Sequence, residues 1–118
     1  MSENLQTLAG EAFCYLTTTG RVTGRPHEIE IWFALDGRTL YMLAGGGDRA
    51  DWVRNLRKNP AVRVRIGGAR FAGHARVLAP GDEDTLARRL VVGKYQPGYS
   101  DDLTGWGRTS LAVAVDLA

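Results

Sequence analysis

Hydrophobic and polar residues alternate along much of this chain, and the alternation predicts a protein built mainly of β-strands. The longest alternating run is 27–35, where large apolar residues occupy every second position and two glutamates and a tryptophan lie between them. A period of two sends neighbouring side chains to opposite faces of a strand. The run therefore predicts one strand with Ile29, Ile31, Phe33 and Leu35 on the core face and Glu28, Glu30 and Trp32 on the other.

Five further segments carry strand patterns, and the residues between them are typical of turns. Asp36, Gly37 and Arg38 form a hairpin signal, and the pair of Gly67 and Gly68 connects two later strands. The other predicted strands span 12–18, 39–44, 61–66, 69–78 and 109–117. Six strands joined mostly by hairpins predict a mainly β fold, an antiparallel barrel that is closed or nearly closed, with helices packed outside.

Three amphipathic segments are expected to form these outer helices. Ser2 is the expected N-cap of the first and Asp48 of the second, which ends before Pro60. The third begins at Pro80 and carries acidic residues in its first turn, where they interact favourably with the helix dipole. The predicted core-facing residues of the first two helices are Leu5, Leu8 and Ala9, and Trp52, Val53 and Leu56.

The composition is that of a single globular domain, which we expect to span residues 1–118. Of its residues, 44% are hydrophobic and 24% charged, which excludes a disordered tail. No apolar run approaches the roughly 20 residues of a membrane helix, and the N-terminus lacks a signal sequence, so we expect a cytoplasmic protein. Cys14 has no partner for a disulfide, and His27 and His74 lack neighbouring ligands, so no metal site is expected.

The basic residues are almost all arginine, yet the net charge is only +2. Arginine suits bidentate contacts with phosphate and carboxylate groups, although a coding bias would give the same composition. The arginines at 63 and 65 have no exposed aromatic residues between them, and the charge is small for a surface that follows a phosphate backbone. We therefore expect no nucleic-acid partner.

The connection 17–25 combines the features of an anion site. Three threonines offer hydroxyl groups, two glycines allow close approach of the backbone, and Arg21 and Arg25 offer forks of donors. This combination suits a phosphate or a carboxylated tail. The alternative is a solvated loop whose arginines are incidental.

Two other segments are candidates for a ligand site. Gly45 to Gly47 precede a helix, so their backbone N–H groups could receive anionic or carbonyl oxygens; the alternative is a flexible turn. Asn55 would be a buried amide that ties loop to strand, while Trp52 suits the core. The predicted loop 96–107 holds aromatic residues that could stack on a planar ring, form a lid or pack against the barrel. These residues alone support a small aromatic ligand with an anionic tail, bound to the barrel.

Three motifs occur in order: LTTTGRVTGRP, LDGRTLYMLAGGG and ADWVRNLRKNPAVRVRIG. Together they resemble the deazaflavin (F420)-dependent nitroreductase family of the flavin/deazaflavin oxidoreductases, which has a split β-barrel fold. The resemblance covers about 12–67, with a looser similarity in KYQPGY and W-x-R-T. It implies coenzyme F420 as the cofactor, with FMN as the alternative.

The resemblance also implies roles for individual residues. The phosphate and polyglutamate tail of the cofactor would be held by Thr19, Gly20, Arg21, Thr23 and Arg25. The deazaflavin ring would lie along Ala44, Gly45, Gly46 and Gly47, and the motif helix adds Trp52 and Asn55. The substrate pocket would be bordered by Tyr95, Tyr99 and Trp106. Val22 stands where relatives often carry a lysine.

The implied activity is transfer of a hydride from reduced F420 to a small electron acceptor: a quinone, a nitroaromatic or a conjugated enone. No catalytic residue is assigned, because the cofactor carries the chemistry and solvent or a tyrosine could supply the proton. The alternatives are an FMN-binding oxidoreductase on the same barrel and a non-catalytic carrier of a cofactor or lipid. Barrels of this family commonly form dimers, so a homodimer is a further expectation.

Overall fold

The computed structural model describes residues 5–118, and its centre is one antiparallel sheet of seven strands. Each strand pairs with its neighbours in the spatial order β2-β1-β5-β6-β7-β4-β3. The strands are β1 (Cys14–Thr19), β2 (Pro26–Ile31), β3 (Ala34–Asp36), β4 (Thr39–Ala44), β5 (Ala61–Ile66), β6 (Ala69–Val77) and β7 (Leu111–Leu117).

The expected strand 27–35 is present but changes its partner midway, so the expected number of six strands is too low by one. Pairing of β2 with β1 ends at Ile31, and pairing of β3 with β4 begins at Ala34. Trp32 and Phe33 form the bend between them. The predicted alternation continues through the bend, because Phe33 is fully buried in the interior while Trp32 remains on the outer side.

A bend that interrupts two ladders leaves backbone groups that need other partners. The Phe33 N–H donates to the Tyr95 hydroxyl over 3.0 Å, and the Phe33 carbonyl accepts from Lys94 Nζ over 3.0 Å. The same hydroxyl lies 2.8 Å from the Ala12 carbonyl, to which it can donate. The end of a helix therefore holds the bend in place.

The two edge strands, β2 and β3, are consecutive in the chain, so the sheet curls into a half-barrel around one apolar interior. Helix α1 (Leu5–Leu8) packs Leu5 and Leu8 against this interior, while Ser2 lies outside the described residues. Helix α2 (Asp51–Lys58) buries Val53 and Leu56 there, as predicted.

Helix α3 (Asp82–Tyr95) covers the outer face of β3, β4 and β7, where Ala87 and Val91 pack in a second apolar cluster. The predicted loop 96–107 is largely helical: a turn of 3₁₀ helix spans Gln96–Gly98, and α4 spans Thr104–Thr109. Consequently β7 begins at Leu111 and not at 109. Among residues 5–118, no helix is long and apolar enough to cross a membrane.

Candidate functional site

The connection between β1 and β2 is a compact loop that hydrogen-bonds to itself. The Gly20 N–H donates to the Arg25 carbonyl over 2.7 Å, and the Gly24 N–H donates to the Gly20 carbonyl over 2.9 Å. Gly24 has a φ of 75°, which favours glycine. The Thr23 hydroxyl accepts from the Arg25 N–H over 3.2 Å. The loop therefore has a defined shape of its own.

Gly20 packs closely against the ring of a histidine. A Cβ atom at this position would lie 2.7 Å from His27 Nε2, which is closer than real Cβ contacts come. The imidazole ring therefore covers the loop backbone, and any larger residue at 20 would push it away. His27 itself is exposed, as expected for a histidine at the start of a strand.

Asn55 joins this loop to β1 and α2. It is only 4% exposed, and its Oδ1 accepts from the Arg21 N–H over 3.1 Å and from Arg21 Nη1 over 2.9 Å. Its Nδ2 donates to the Thr18 hydroxyl over 3.2 Å. Arg21 also reaches Asp51 Oδ1 at 3.1 Å, and its carbonyl accepts from Lys58 Nζ over 3.0 Å. We call these five residues the Asn55 clip.

The two arginines of the loop consequently differ. The Arg21 guanidinium is occupied by Asn55 and Asp51, so it holds the loop against α2. The Arg25 side chain is exposed, and its guanidinium has no acceptor among residues 5–118. Val22 is 86% exposed at the tip of the loop. Arg25 is therefore the loop cation that is available to an anionic ligand.

The Asn55 clip shapes two neighbouring cavities. A groove of about 450 Å³ lies between the loop, β2 and α2. A second cavity, of about 410 Å³, lies on the other side of the loop. Of the predicted cofactor residues, the structure brings to these cavities Thr19, Gly20, Arg21, Thr23, Trp52 and Asn55.

The glycine segment is arranged differently from the expectation. Gly47 opens the 3₁₀ turn Gly47–Arg49, so the glycines do not lead directly into α2, whose N-cap position is Ala50. Asp48 is therefore not the N-cap, and its carboxylate pairs with Arg57. Ala44 is 2% exposed, because its pairing with Leu111 and the interior packing bury it. It offers no open surface to a ligand.

Gly45 and Gly46 are exposed and are not among the residues that line the groove. A Cβ atom on Gly45 would lie 3.2 Å from Trp106 Nε1. This segment therefore lies beside the aromatic residues that follow α3. Its proximity to a bound ring stays a prediction.

The three residues predicted to border the substrate pocket meet around Trp32. Tyr95 stacks on Trp32 with ring centroids 4.2 Å apart and planes 4° from parallel. Trp106 and Tyr99 contact Trp32 edge to face, at 5.7 Å and 5.5 Å. We call these four residues the aromatic cluster. Trp32 was not predicted as a site residue from the sequence. A large aromatic residue on the outer, mainly polar face of a predicted strand was the signal that could have identified it.

Tyr95 belongs to the cluster through its ring, while its hydroxyl is engaged by the bend. Burial raises the pKa of Tyr95 to about 12, so the phenol stays protonated near neutral pH. Burial also lowers the pKa of the neighbouring Lys94 to about 8. Lys94 Nζ lies 3.6 Å from the centroid of the Phe33 ring, which is a cation–π contact. Both side chains support the bend beneath Trp32.

A recess of about 250 Å³ opens beside the aromatic cluster. Its lining residues are Phe13, Glu30, Ile31, Trp32, Leu43 and Trp106. Residues of β2 contribute to both cavities: Glu28 and Ile29 line the groove, and Glu30 and Ile31 line the recess. Residues 5–118 contain no group of three or more His, Cys, Asp or Glu side chains that could hold a metal ion.

The chain matches a known protein family over almost its whole length. A family model described as F420H(2)-dependent quinone reductase matches residues 2–118. An F420H(2)-dependent quinone reductase of Mycobacterium tuberculosis is 36% identical over 72 residues, which are 58% of this chain and 48% of that protein. The chain thus spans about half the length of the curated relatives it matches.

Two solved structures share the fold. A structure of an F420-H2 dependent reductase aligns over 88% of this chain and 93% of its own, with 24% identity and a TM-score of 0.71. The crystal structure of a haem storage protein from Vibrio cholerae aligns over 92% and 82%, with 17% identity and a TM-score of 0.68. These likenesses confirm the mainly β split barrel, but one fold can hold different ligands.

Proposed function

We propose, from the premise that this chain belongs to the F420H(2)-dependent quinone reductase family, that it uses reduced coenzyme F420 to reduce quinones. This membership confirms the resemblance to F420-dependent oxidoreductases that the three sequence motifs carried. The observation that carries the proposal is the pair of cavities along β2: one is bounded by the motif loop and motif helix, and the other by the aromatic cluster. Hydride transfer needs two ligands side by side.

The residues around the loop fit a cofactor with a phosphate and a carboxylated tail. Arg25 offers an unpaired guanidinium, and Lys58 lines the cavity beyond the loop. Thr23 adds a hydroxyl group, and the Asn55 clip holds the loop in the shape that presents these donors. We assign the tail to Thr19, Gly20, Thr23 and Arg25, and to Arg21 through its hold on the loop.

The other side of the groove fits a planar ring. Trp52 lines the groove and also packs against the barrel interior. Ile29 provides an apolar wall on β2. Gly45 and Gly46 leave the approach to the aromatic cluster without side chains. We assign the ring to this region.

When bound, reduced F420 supplies a hydride, and the chain's residues hold and orient the two reactants. The Tyr95 hydroxyl is occupied by backbone groups of the bend and has a raised pKa, which makes it a poor source of the proton that quinone reduction also needs. Glu30 is the only ionisable residue among those that line the recess. We therefore assign the proton to water and name no catalytic acid.

A titration with F420 and, separately, with FMN tests the cofactor, with binding followed by cofactor fluorescence. We expect F420 to bind and FMN to bind at least tenfold more weakly, roughly the discrimination that one or two charged contacts provide. Preference for FMN would favour the alternative oxidoreductase. Binding of neither would overturn the proposal.

A turnover assay then separates an enzyme from a carrier. The protein is mixed with reduced F420 and menadione, and the return of the absorbance of oxidised F420 is recorded. We expect oxidation that depends on both protein and quinone. Binding of F420 without turnover of menadione, a nitroaromatic or a conjugated enone would identify a carrier instead.

We also propose that residues 1–118 form a single cytoplasmic domain that assembles as a homodimer. The outer face of β1, β2, β5 and β6 is not covered by a helix among the described residues, and it carries charges of both signs in adjacent rows. The charged residues of this face include Glu28, Glu30, Arg63, Arg65 and Arg70. Light scattering of the purified protein tests the dimer, and Arg65→Glu should weaken it if this face is the interface.

A further inference from the structure

Trp106 holds a hydrogen-bond donor that the protein does not use. Its indole N–H has no acceptor among residues 5–118, although the ring is half-buried and contacts Trp32 edge to face. Indole can only donate, so this group needs an acceptor oxygen from solvent or from a ligand. The Trp106 N–H is not among the buried polar groups that lack a partner, so it is open to solvent, and a ligand oxygen can reach it in place of water.

The neighbouring backbone keeps this N–H accessible. Trp106 Nε1 lies 3.2 Å from the position that a Cβ atom on Gly45 would take, so any other residue at 45 would crowd the nitrogen. Gly45 itself is exposed. Trp106 also lines the recess, so its indole contributes to the recess wall and lies next to the bare backbone at 45.

The recess has a composition that suits a flat, uncharged molecule. Phe13, Ile31, Leu43 and the face of Trp32 provide apolar walls. Glu30 is the only charged residue among those lining it, and it accepts from the Tyr15 hydroxyl over 3.1 Å. A carboxylate at this position repels an anionic ligand, although solvent and salt weaken the effect.

We propose that this recess receives the electron acceptor, and that the Trp106 indole N–H donates a hydrogen bond to a carbonyl oxygen of an uncharged quinone. The identity of the acceptor as a quinone rests on the proposed function. Transfer of a hydride to the quinone, followed by a proton from water, yields the hydroquinone, and negative charge develops on the carbonyl oxygen during the first step. A donor placed at that oxygen stabilises the charge as it forms.

Nuclear magnetic resonance of the indole N–H groups tests the contact directly. The chain has three tryptophans, so uniformly ¹⁵N-labelled protein gives three indole signals, and Trp106→Phe assigns one of them. Menadione is titrated into wild-type protein with and without oxidised F420, and naphthalene serves as a ligand of similar shape without a carbonyl group. We expect menadione to move the Trp106 proton signal downfield and naphthalene not to do so. Equal shifts with both ligands, or no shift with menadione in either state, would overturn the hydrogen bond.

Kinetics provide the second test. Trp106→Phe keeps an aromatic ring and removes the N–H, and we expect kcat/KM for menadione to fall about fivefold, the effect of one neutral hydrogen bond. Glu30→Gln should raise kcat/KM for naphthoquinone sulfonate about fivefold relative to menadione, with the difference shrinking in high salt. An unchanged kcat/KM for Trp106→Phe would contradict the donor role, and an unchanged acceptor preference for Glu30→Gln would contradict the charge selection.

Failure of this inference is distinguishable from failure of the proposed function. If wild-type protein does not bind or oxidise reduced F420, the proposed function is wrong, but the magnetic resonance titration still shows whether a carbonyl ligand contacts Trp106. If F420 is oxidised by menadione while the Trp106 signal does not respond, the function stands and the acceptor lies elsewhere.

Discussion

The Asn55 clip holds the loop that precedes β2 and the aromatic cluster surrounds Trp32, which follows β2, yet the two groups use their polar atoms in opposite ways. In the clip, the Asn55 amide and the Arg21 guanidinium are bonded to other parts of the protein. In the cluster, the Trp106 N–H has no protein acceptor among the described residues. A polar group that is hydrogen-bonded within the protein affects a ligand by holding the site in shape, whereas an unpaired polar group can hydrogen-bond to the ligand directly. Four sets of measurements test this contrast.

The largest effect is expected at the centre of the clip. Asn55→Ala leaves the Arg21 N–H and the buried Thr18 hydroxyl without their partner, so the free energy of unfolding should fall by about 2–3 kcal/mol. Urea denaturation measures the loss. Asn59→Ala is the control on the same side of the protein, because the Asn59 side chain is exposed and has no hydrogen-bond partner among residues 5–118. Equal stability of the two variants would show that the clip does not hold the loop.

The two loop arginines sharpen the contrast between shape and binding. Arg25→Ala should weaken F420 binding about tenfold, the value of one charge-assisted contact, and leave unfolding by urea unchanged. Arg21→Ala should weaken binding and also lower stability by about 1 kcal/mol, a value discounted because the side chain is partly exposed. Fluorescence titration and urea denaturation of both variants give the comparison. The assignment would be reversed if Arg21→Ala changed binding alone.

The support beneath the aromatic cluster can be weakened without removing a ring. Tyr95→Phe keeps the stack on Trp32 but leaves the Phe33 N–H without its acceptor, which should cost about 1–2 kcal/mol of stability. Tyr99→Phe is the matched control, since that hydroxyl is exposed and has no partner among the described residues. Thermal denaturation compares the two. A loss of stability in both would mean that the bend is held by something other than the Tyr95 hydroxyl.

The smallest effect is expected from pH. The pKa of Lys94 is lowered to about 8 in the folded protein, below its ordinary 10.5, so the unfolded chain binds more protons between these values. Stability should therefore rise as pH increases from 8 to 9, by less than about 1 kcal/mol once solvent screening is considered. Above pH 9 the raised pKa values of Cys14 and Tyr95 act in the opposite direction. Urea denaturation of Lys94→Met should lack the rise between pH 8 and 9.

Much of the fold could be predicted because local patterns and tertiary packing agree. The predicted strands 39–44 and 61–66 match β4 and β5. Alternation marks 61–66, whose Val62, Val64 and Ile66 face the interior, whereas 39–44 is a short apolar run that is buried on both faces. The helical turns within the predicted loop 96–107 were missed because that segment contains Gly, Pro and Asp, which favour loops, whereas packing of Trp106 against the second apolar cluster favours α4. The seventh strand was missed because the chain changes its pairing partner between β2 and β3. Alternation of polar and apolar residues does not show which strands pair with each other.

The candidate site was predicted in part. Three ordered motifs identified the loop, the glycine segment and the helix, and a buried amide at 55 was expected to tie loop to strand, as it does. Trp32 was missed, because its place beside Tyr95 depends on a helix that arrives from 60 residues later in the chain. Ala44 was included because it adjoins the glycines, but its side chain faces the interior.

By itself, the sequence determined the mainly β architecture, the family and the chemical character of the loop, because alternation, turn residues and motif spacing are local properties. Only the tertiary structure decided which polar groups remain available to a ligand. Arg21 and Arg25 are alike in sequence, and a distant Asn55 and Asp51 occupy one of them while the other is left exposed. The same holds for Trp106, whose N–H is open because Gly45, from another element, has no side chain to cover it.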